Sequence, residues 1–269
     1  MSFNLASPSN ILSPYIKQYW SIDSCIHQKN VHTQRIVPNG LMELIFYLED
    51  KPESSDKNKS ISDRSLITGQ QRSFYDLKIT GKMSLFSVIF QPAGLSVFFD
   101  IPSDQFFDLN IPLRHILGKQ VDELEAKLFE ANSFSGKIKV IENFLLHRLH
   151  KAQKKFQLER INSSIEIINL KRGNVKIDEL ASDACLCRKQ FERIFSEYIG
   201  TSPKQFLKIV RFQNAISKKA KKKNLNLTEL TYACGYYDQS HMTNDFQKLS
   251  GLSPKLYFAS CDAFSDYFQ

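Results

Sequence analysis

Residues 226–257 read NLTELTYACGYYDQSHMTNDFQKLSGLSPKLY, and the same plan stands about fifty positions upstream. Phe191, Phe195, Gly200, Ser202 and Pro203 recur 51 positions later as Met242, Phe246, Gly251, Ser253 and Pro254. Leu180 and Ala184 recur 50 positions later as Leu230 and Cys234, so the second copy has one extra residue in its turn. Each copy reads as a short amphipathic helix, a tight turn, a second helix and then Gly-x-Ser-Pro, which is the plan of a helix-turn-helix.

In the first copy Ile177, Leu180, Ala181 and Ala184 face inward, and the small alanines let the next helix cross closely. That helix, roughly 188–198, buries Phe191, Ile194, Phe195 and Tyr198 at i, i+3, i+4 and i+7. It leaves Arg188, Lys189, Gln190, Glu192, Arg193 and Ser196 on the open face. In the second copy Asn226 and Glu229 have capping-box spacing, Gly235 supplies the turn, and Asp238 caps a helix that buries Met242, Phe246 and Leu249. Gln239, Ser240, Thr243, Asn244 and Gln247 then lie outward. Such faces carry the donors and acceptors that read base edges in a major groove. Between the copies Pro203 opens a long helix to about Lys222, with Phe206, Ile209, Val210, Gln213 and Ala215 among its packing positions. One rigid helix between two reading units fixes their separation, and grooves on one face of B-DNA recur roughly every 34 Å.

Charge follows the same division. Residues 1–150 carry 16 Lys+Arg against 16 Asp+Glu, so the whole +8 of the chain lies in residues 151–269. That asymmetry fits a neutral module joined to one that meets a polyanion, although a merely basic surface would give the same count. The lysines at 218, 219, 221, 222 and 223 read as a phosphate clamp or as a solvated helix end.

Upstream, the chain is β-rich to about residue 112. Leu41–Leu48 and Ser84–Phe90 are short aromatic and β-branched runs, bounded by Pro38-Asn39-Gly40, Gly81 and Pro92. Residues 49–64 hold one large apolar residue, Ile61, and are expected to form a mobile hairpin tip. Residues 113–150 read as helical: Leu117, Val121, Leu124 and Leu128 form one stripe and Ile138, Ile141, Leu145 and Leu149 another, each needing a partner within the chain or across a dimer. A polar, basic linker is expected at 151–156. The fold class is therefore α+β: a β-rich front domain with flanking helices over 1–150, and an all-α domain over 157–269. In the latter, one helix-turn-helix spans about 174–200, the connecting helix 203–222 and the second unit about 226–251.

Residues 173–259, about a third of the chain, resemble the DNA-binding module of the AraC/XylS family. The paired units, the central helix with Arg211 and Ala215, the run Ala-Cys-Gly-Tyr-Tyr-Asp-Gln-Ser-His-Met at 233–242 and the ending Phe246-Gln-Lys-Leu-Ser-Gly-Leu-Ser-Pro-Lys-Leu-Tyr carry the match. The resemblance implies that the second helix of each copy enters a major groove, with Lys189, Gln190, Glu192, Arg193, Gln239, Ser240, Thr243 and Asn244 against bases. Arg188, Lys204, Lys218, Lys222 and Lys255 are the candidates for phosphate contacts. Three residues depart from the pattern. Cys185 stands where the first turn usually has Gly, Met242 replaces an aromatic, and Asn244, which favours adenine, stands where Arg is common. More loosely, Arg35-Ile-Val-Pro-Asn-Gly, Glu43-Leu-Ile-Phe, Gly69 and Phe90-Gln-Pro-Ala-Gly-Leu resemble the regulatory domain of a branch of that family. This implies a small cupin-like β-barrel or sandwich followed by helices that often mediate dimerisation.

The expected partner is double-stranded DNA, together with RNA polymerase if the protein is an activator. A homodimer and a small-molecule effector are further expectations. Phe46, Phe86, Ile89 and Phe90 would line an apolar pocket, or fill the core instead. No cofactor or metal is expected: His27, His32, His115, His147 and His150 form no HxH pair, and Cys25 stands alone where a fused DNA-repair enzyme would need a zinc-bound cysteine cluster. A protein-interaction adaptor that uses helix-turn-helix units without DNA is the third class. Five cysteines without metal spacing, and an opening MSFNLASPSN with neither basic nor apolar run, suggest a cytoplasmic protein with reduced thiols. No run approaches the roughly 18 apolar residues of a membrane span. Cys185 and Cys187 read as small buried residues or as a redox switch, and His241 as a DNA contact or a packing residue.

Overall fold

The computed structural model describes residues 2–26, 31–149 and 155–260. Among these residues, nine strands and their connections build the front half. Strands β1 (Ser2–Ala6), β2 (Ile16–Ile26), β4 (Glu43–Tyr47), β6 (Ser65–Thr68), β8 (Gly81–Phe90) and β9 (Asn110–Pro112) form an antiparallel sheet in the order β1-β2-β8-β4-β6-β9. Strands β3 (His32–Ile36), β5 (Glu53–Ser54) and β7 (Tyr75–Ile79) form a second antiparallel sheet in the order β3-β7-β5.

The large sheet is covered on both faces, which explains why β4 and β8 read as nearly continuous apolar runs rather than as alternation. On one face Tyr19, Leu44, Phe46, Ile67, Phe86, Val88 and Phe90 pack against helices. The Phe86 ring lies 6.3 Å from Tyr19, 6.4 Å from Phe46 and 5.9 Å from Phe134. On the other face Ile22, Tyr47, Leu66, Met83 and Leu85 meet Leu77 and Ile79 of the small sheet. Of the expected barrel or sandwich, the described residues form the open, two-sheet alternative. β1 and β9 end the large sheet, and neither sheet closes.

Four helices cover the first face: α1 (Leu95–Phe98), α2 (Arg114–Leu117), α3 (Gln120–Glu130) and α4 (Phe134–Leu149). Leu117, Val121, Leu124 and Leu128, with Ile141 and Leu145, are buried in that layer, so both stripes find their partner within the chain. Phe46, Phe86, Ile89 and Phe90 are each at most 2% exposed and fill the core. Residues 49–64 are not a bare hairpin tip, for they supply β5 and bury Lys59 completely. The Lys59 ammonium lies 2.8 Å from Asp108 Oδ1 and 4.9 Å from the centre of the Tyr75 ring. An apolar stem with a paired head can occupy a core that composition alone denies it.

The back half is helical: α5 (Lys155–Leu170), α6 (Ile177–Asp183), α7 (Arg188–Ile199), α8 (Pro203–Lys221), α9 (Leu227–Ala233), α10 (Gln239–Ser250) and α11 (Pro254–Ser260). Of the expected linker, residues 151–154 lie outside the described residues, and α5 begins at Lys155. The two halves are docked. Pro38 O accepts from Gln213 Nε2 of α8 at 2.7 Å, and Arg72 O accepts from Gln205 Nε2 at 3.0 Å. Ala93 is buried in the core of α5–α7. Arg35 holds Asp76 through Nε and Nη2 (2.8 and 3.0 Å), lies over the Phe74 ring and donates from Nη1 to Ser250 O at the end of α10 (3.1 Å). Gly251 there has φ +74°, and any side chain on it would strike the Phe74 ring.

Between the two sheets, Glu43 Oε1 accepts from Trp20 Nε1 and Ser87 Oγ, both at 2.5 Å. Desolvation pushes its carboxyl up to about 7, against the pull of those two donors. The folded chain holds the proton that an unfolded chain would release near pH 4.5. The stability this gives is complete below pH 4.5 and is lost as pH rises to 7. Thermal melts of the wild type should show a loss on the order of 2 kcal/mol across that window, allowing for partial exposure of the site. Glu43→Gln should flatten it; an unchanged pH slope in the variant would assign the loss elsewhere.

Candidate nucleic-acid interface

The two helix-turn-helix copies superpose element by element in their lengths. α6 and α9 have seven residues each and α7 and α10 twelve each, and α8 and α11 open on Pro203 and Pro254. The extra residue of the second copy lies in the turn between α9 and α10, as the offset of the repeat requires. Asn226 and Glu229 form the full capping box (2.8 and 3.0 Å), and Asp238 Oδ1 accepts from His241 N at 2.7 Å. Gly200 and Gly251 end α7 and α10 in the left-handed conformation.

The turns differ in the way the cysteine demands. Gly235 has φ +73°, where glycine is unstrained, whereas Cys185 at the equivalent place has φ +53°. A side chain in that region costs roughly 1–2 kcal/mol. Cys185 and Cys187 are both exposed, which overturns their reading as buried residues, because the turn projects them outward. Cys187 Sγ donates to Gln190 Oε1 at 3.3 Å.

The buried stripes are those the spacing gives: Phe191, Ile194, Phe195 and Tyr198 in α7, and Met242, Phe246 and Leu249 in α10. Lys189, Gln190 and Arg193 are exposed on α7, as are Gln239, Ser240 and Asn244 on α10, while Glu192 and Thr243 are half-buried. Several of these are already engaged. Arg188 pairs with Asp178 (3.2 Å) and Glu192 (3.0 Å), Arg193 with Glu197 (3.5 Å), and Gln239 Nε2 donates to Thr228 Oγ1 (2.6 Å). These surface pairs are weak enough to be exchanged for a phosphate or a base.

Lys204, Lys222 and Lys255 are exposed, and Lys204 and Lys255 occupy the same place in the two copies, one residue after each helix-opening proline. Lys218, also a candidate for a phosphate contact, has a partner within the unit. Its ammonium donates to Ala233 O at the end of α9 (2.8 Å), and Lys219 donates to Lys223 O and Leu225 O (both 2.6 Å). Two of the five lysines, Lys218 and Lys219, therefore cap helix-end and loop carbonyls. His241 packs its ring edge-on to Tyr236 at 5.3 Å.

Asp245 was not singled out by the spacing argument. It lies inward on α10 at 4% exposure, with Lys208 and Arg211 of α8 and His241 around it at 3.7–3.9 Å. A carboxylate between Met242 and Phe246 in an apolar stripe is the sequence signal that would have found it. Among the described residues no group of three His, Cys, Asp or Glu is placed to hold a metal ion; His27, His150 and Cys261 lie outside them.

Residues 180–268 match the family described as "Helix-turn-helix domain". Residues 5–112 match a different family, "Domain of unknown function (DUF6597)". An "Uncharacterized HTH-type transcriptional regulator" of Haemophilus influenzae is 32% identical over 102 residues, 38% of this chain and 34% of that protein. The "HTH-type transcriptional regulator GbdR" of Pseudomonas aeruginosa is 26% identical over 97 residues, 34% of this chain and 25% of that one. The matches thus span about a third or less of these relatives' length. Crystallographic ToxT from Vibrio cholerae aligns over 90% of this chain and 97% of its own, at 12% identity and a TM-score of 0.46.

Because the turn of the first helix-turn-helix unit carries a strained cysteine where that of the second has glycine, Cys185→Gly should stabilise the protein by about 1 kcal/mol. Chemical denaturation of the full chain measures this. A variant no more stable than the wild type would show that the φ at 185 carries no penalty.

Proposed function

We propose that this chain is a sequence-specific DNA-binding transcription regulator that inserts α7 and α10 into two adjacent major grooves. The observation that carries the reading is the pair of equal, twelve-residue helices with polar outer faces, joined by one buried helix in the half that holds all the net charge. On this reading Lys189, Gln190, Glu192 and Arg193 address one half-site and Gln239, Ser240, Thr243 and Asn244 the other. Arg188, Lys204, Lys218, Lys222 and Lys255 approach phosphates, Lys218 through the ammonium protons that its bond to Ala233 O leaves over. The names of the relatives, transcriptional regulators in both cases, support the same class rather than an enzyme or an adaptor.

The front half regulates through contact. Its Arg35–Gly40 segment and Phe74 hold α8 and the end of α10, so a change between its sheets is transmitted to the reading helices without a flexible linker. A small-molecule effector would act there by shifting that docking, since the apolar core itself is filled. The regulator acts in the cytoplasm, and as an activator it would also meet RNA polymerase. A homodimer would raise avidity on paired operators, but through a surface other than the stripes of α3 and α4, which the chain itself covers.

Two measurements bear on this. Binding of the full chain to a duplex selected from a randomised library should weaken roughly 10³–10⁵-fold between about 50 and 200 mM salt, for some 6–10 phosphate contacts. A flat salt response, or no binding, would favour the adaptor. Arg193→Ala should relax specificity at one position of one half-site by about 1–3 kcal/mol, whereas Lys222→Ala should weaken all sequences equally. Selection repeated on both variants separates the two, and an unchanged preference in Arg193→Ala would reduce that residue to a backbone contact.

A further inference from the structure

Arg211 of α8 stands between the two reading units. Its Nη1 donates to Gly173 O, in the turn that leads into α6, at 2.9 Å. Its Nη2 lies 3.7 Å from Asp245 Oδ2 on the inner side of α10. One side chain thus joins the entry of the first unit to the recognition helix of the second. The next residue adds a second tie across the same joint: Asn174 Nδ2 donates to Cys234 O in the α9–α10 turn at 3.3 Å. Asn174 occupies the space a side chain at position 235 would need, so the glycine there answers to this contact as well as to its φ.

Apolar packing alone does not account for this cluster. Asp245 is buried, and its Oδ2 takes no hydrogen bond among the described residues. Lys208 Nζ approaches its Oδ1 at 3.9 Å and His241 Nε2 its Oδ2 at 3.9 Å, while the Tyr236 ring lies under the Arg211 guanidinium. Tyr236 OH is itself buried without a hydrogen-bond partner among the described residues. A leucine at 245 would avoid the desolvation of a carboxylate. Buried ion pairs contribute little net stability, and their best-attested use is to fix orientation or register.

We propose that Arg211, Asp245 and Asn174 are positioning residues that set the separation and mutual angle of α7 and α10, and so the half-site spacing the protein accepts. The proposal rests on the two-groove reading above. None of the three residues lies on an outer reading face, so weakening the joint leaves each unit able to read its own half-site and releases only the coupling between them.

The test uses the full chain and the duplex that the wild type selects from a randomised library. Affinity is measured on that duplex, on versions with one, two and three base pairs inserted between the half-sites, and on each half-site alone. The wild type should lose at least about tenfold when two base pairs are inserted, since the two contacts can no longer engage together. Asp245→Asn and Asn174→Ala should keep half-site affinity within about threefold, and their loss on insertion should shrink to about threefold or less. The double variant Arg211→Met/Asp245→Leu, which replaces the pair by apolar bulk, should behave alike and settles the matter if Asp245→Asn does not fold. Folded variants that retain the full spacing preference, or that lose all DNA equally, overturn the proposal while leaving the two-groove reading intact. A wild type that binds no duplex overturns that reading, and the proposal with it.

Discussion

The burial of α8 is the constraint on which the rest of the structure depends. Phe206 and Leu207 belong to the core of α5–α7, and Ile209, Phe212, Ala215 and Ile216 to the core of α9–α11. Between these stripes Gln213 reaches the Pro38 carbonyl, and Gly40 lies against Phe206 and Ile209. A helix buried on three sides cannot bend or turn without opening two cores and a domain contact. Each large apolar side chain so buried contributes about 1.5–3 kcal/mol. The two recognition helices inherit their positions from it: α7 through Phe195 against Phe206 at 5.6 Å, and α10 through Phe246 against Phe212 at 4.8 Å.

This arrangement gives the front half a physical route to the DNA-reading face. Arg35, Pro38, Gly40 and Phe74 are separated from the helices they touch by more than one hundred residues, and Ala93 by more than sixty, yet they set the floor on which α7, α8 and α10 rest. Regulation by rigid docking differs from regulation by tethering, because any rearrangement between the sheets works directly against α8 and the Ser250 carbonyl. It also explains why a β-rich unit with a filled core can matter to a DNA-binding unit: its outer loops, rather than its interior, make the connection.

Much of the back half was legible because its rules are local. Periodicity located Phe191, Phe195, Met242 and Phe246, the capping box placed the start of α9, and Cys185 announced its strained turn by standing where glycine belongs. Apart from the outward turn of Cys185 and Cys187, the failures are long-range. Arg35 and Gly40 carried a family likeness but no contact, since nothing local says that a strand end will meet Ser250. Lys59 sat in a polar stretch that looked unable to pack, and its pairing with Asp108 depends on the order of strands. The bond from Lys218 to the Ala233 carbonyl depends in the same way on where α9 packs. Asp245 broke an apolar stripe without its partners being visible, because Arg211 and Lys208 come from another helix.

The central claim is that one buried helix holds two recognition helices in register with one face of B-DNA. Hydroxyl-radical and methylation footprints of the full chain on its selected duplex test it most directly. The account predicts two protected major-groove segments on the same face, about one helical turn, roughly 10 base pairs, apart. A single protected segment, or two on opposite faces of the duplex, would contradict it.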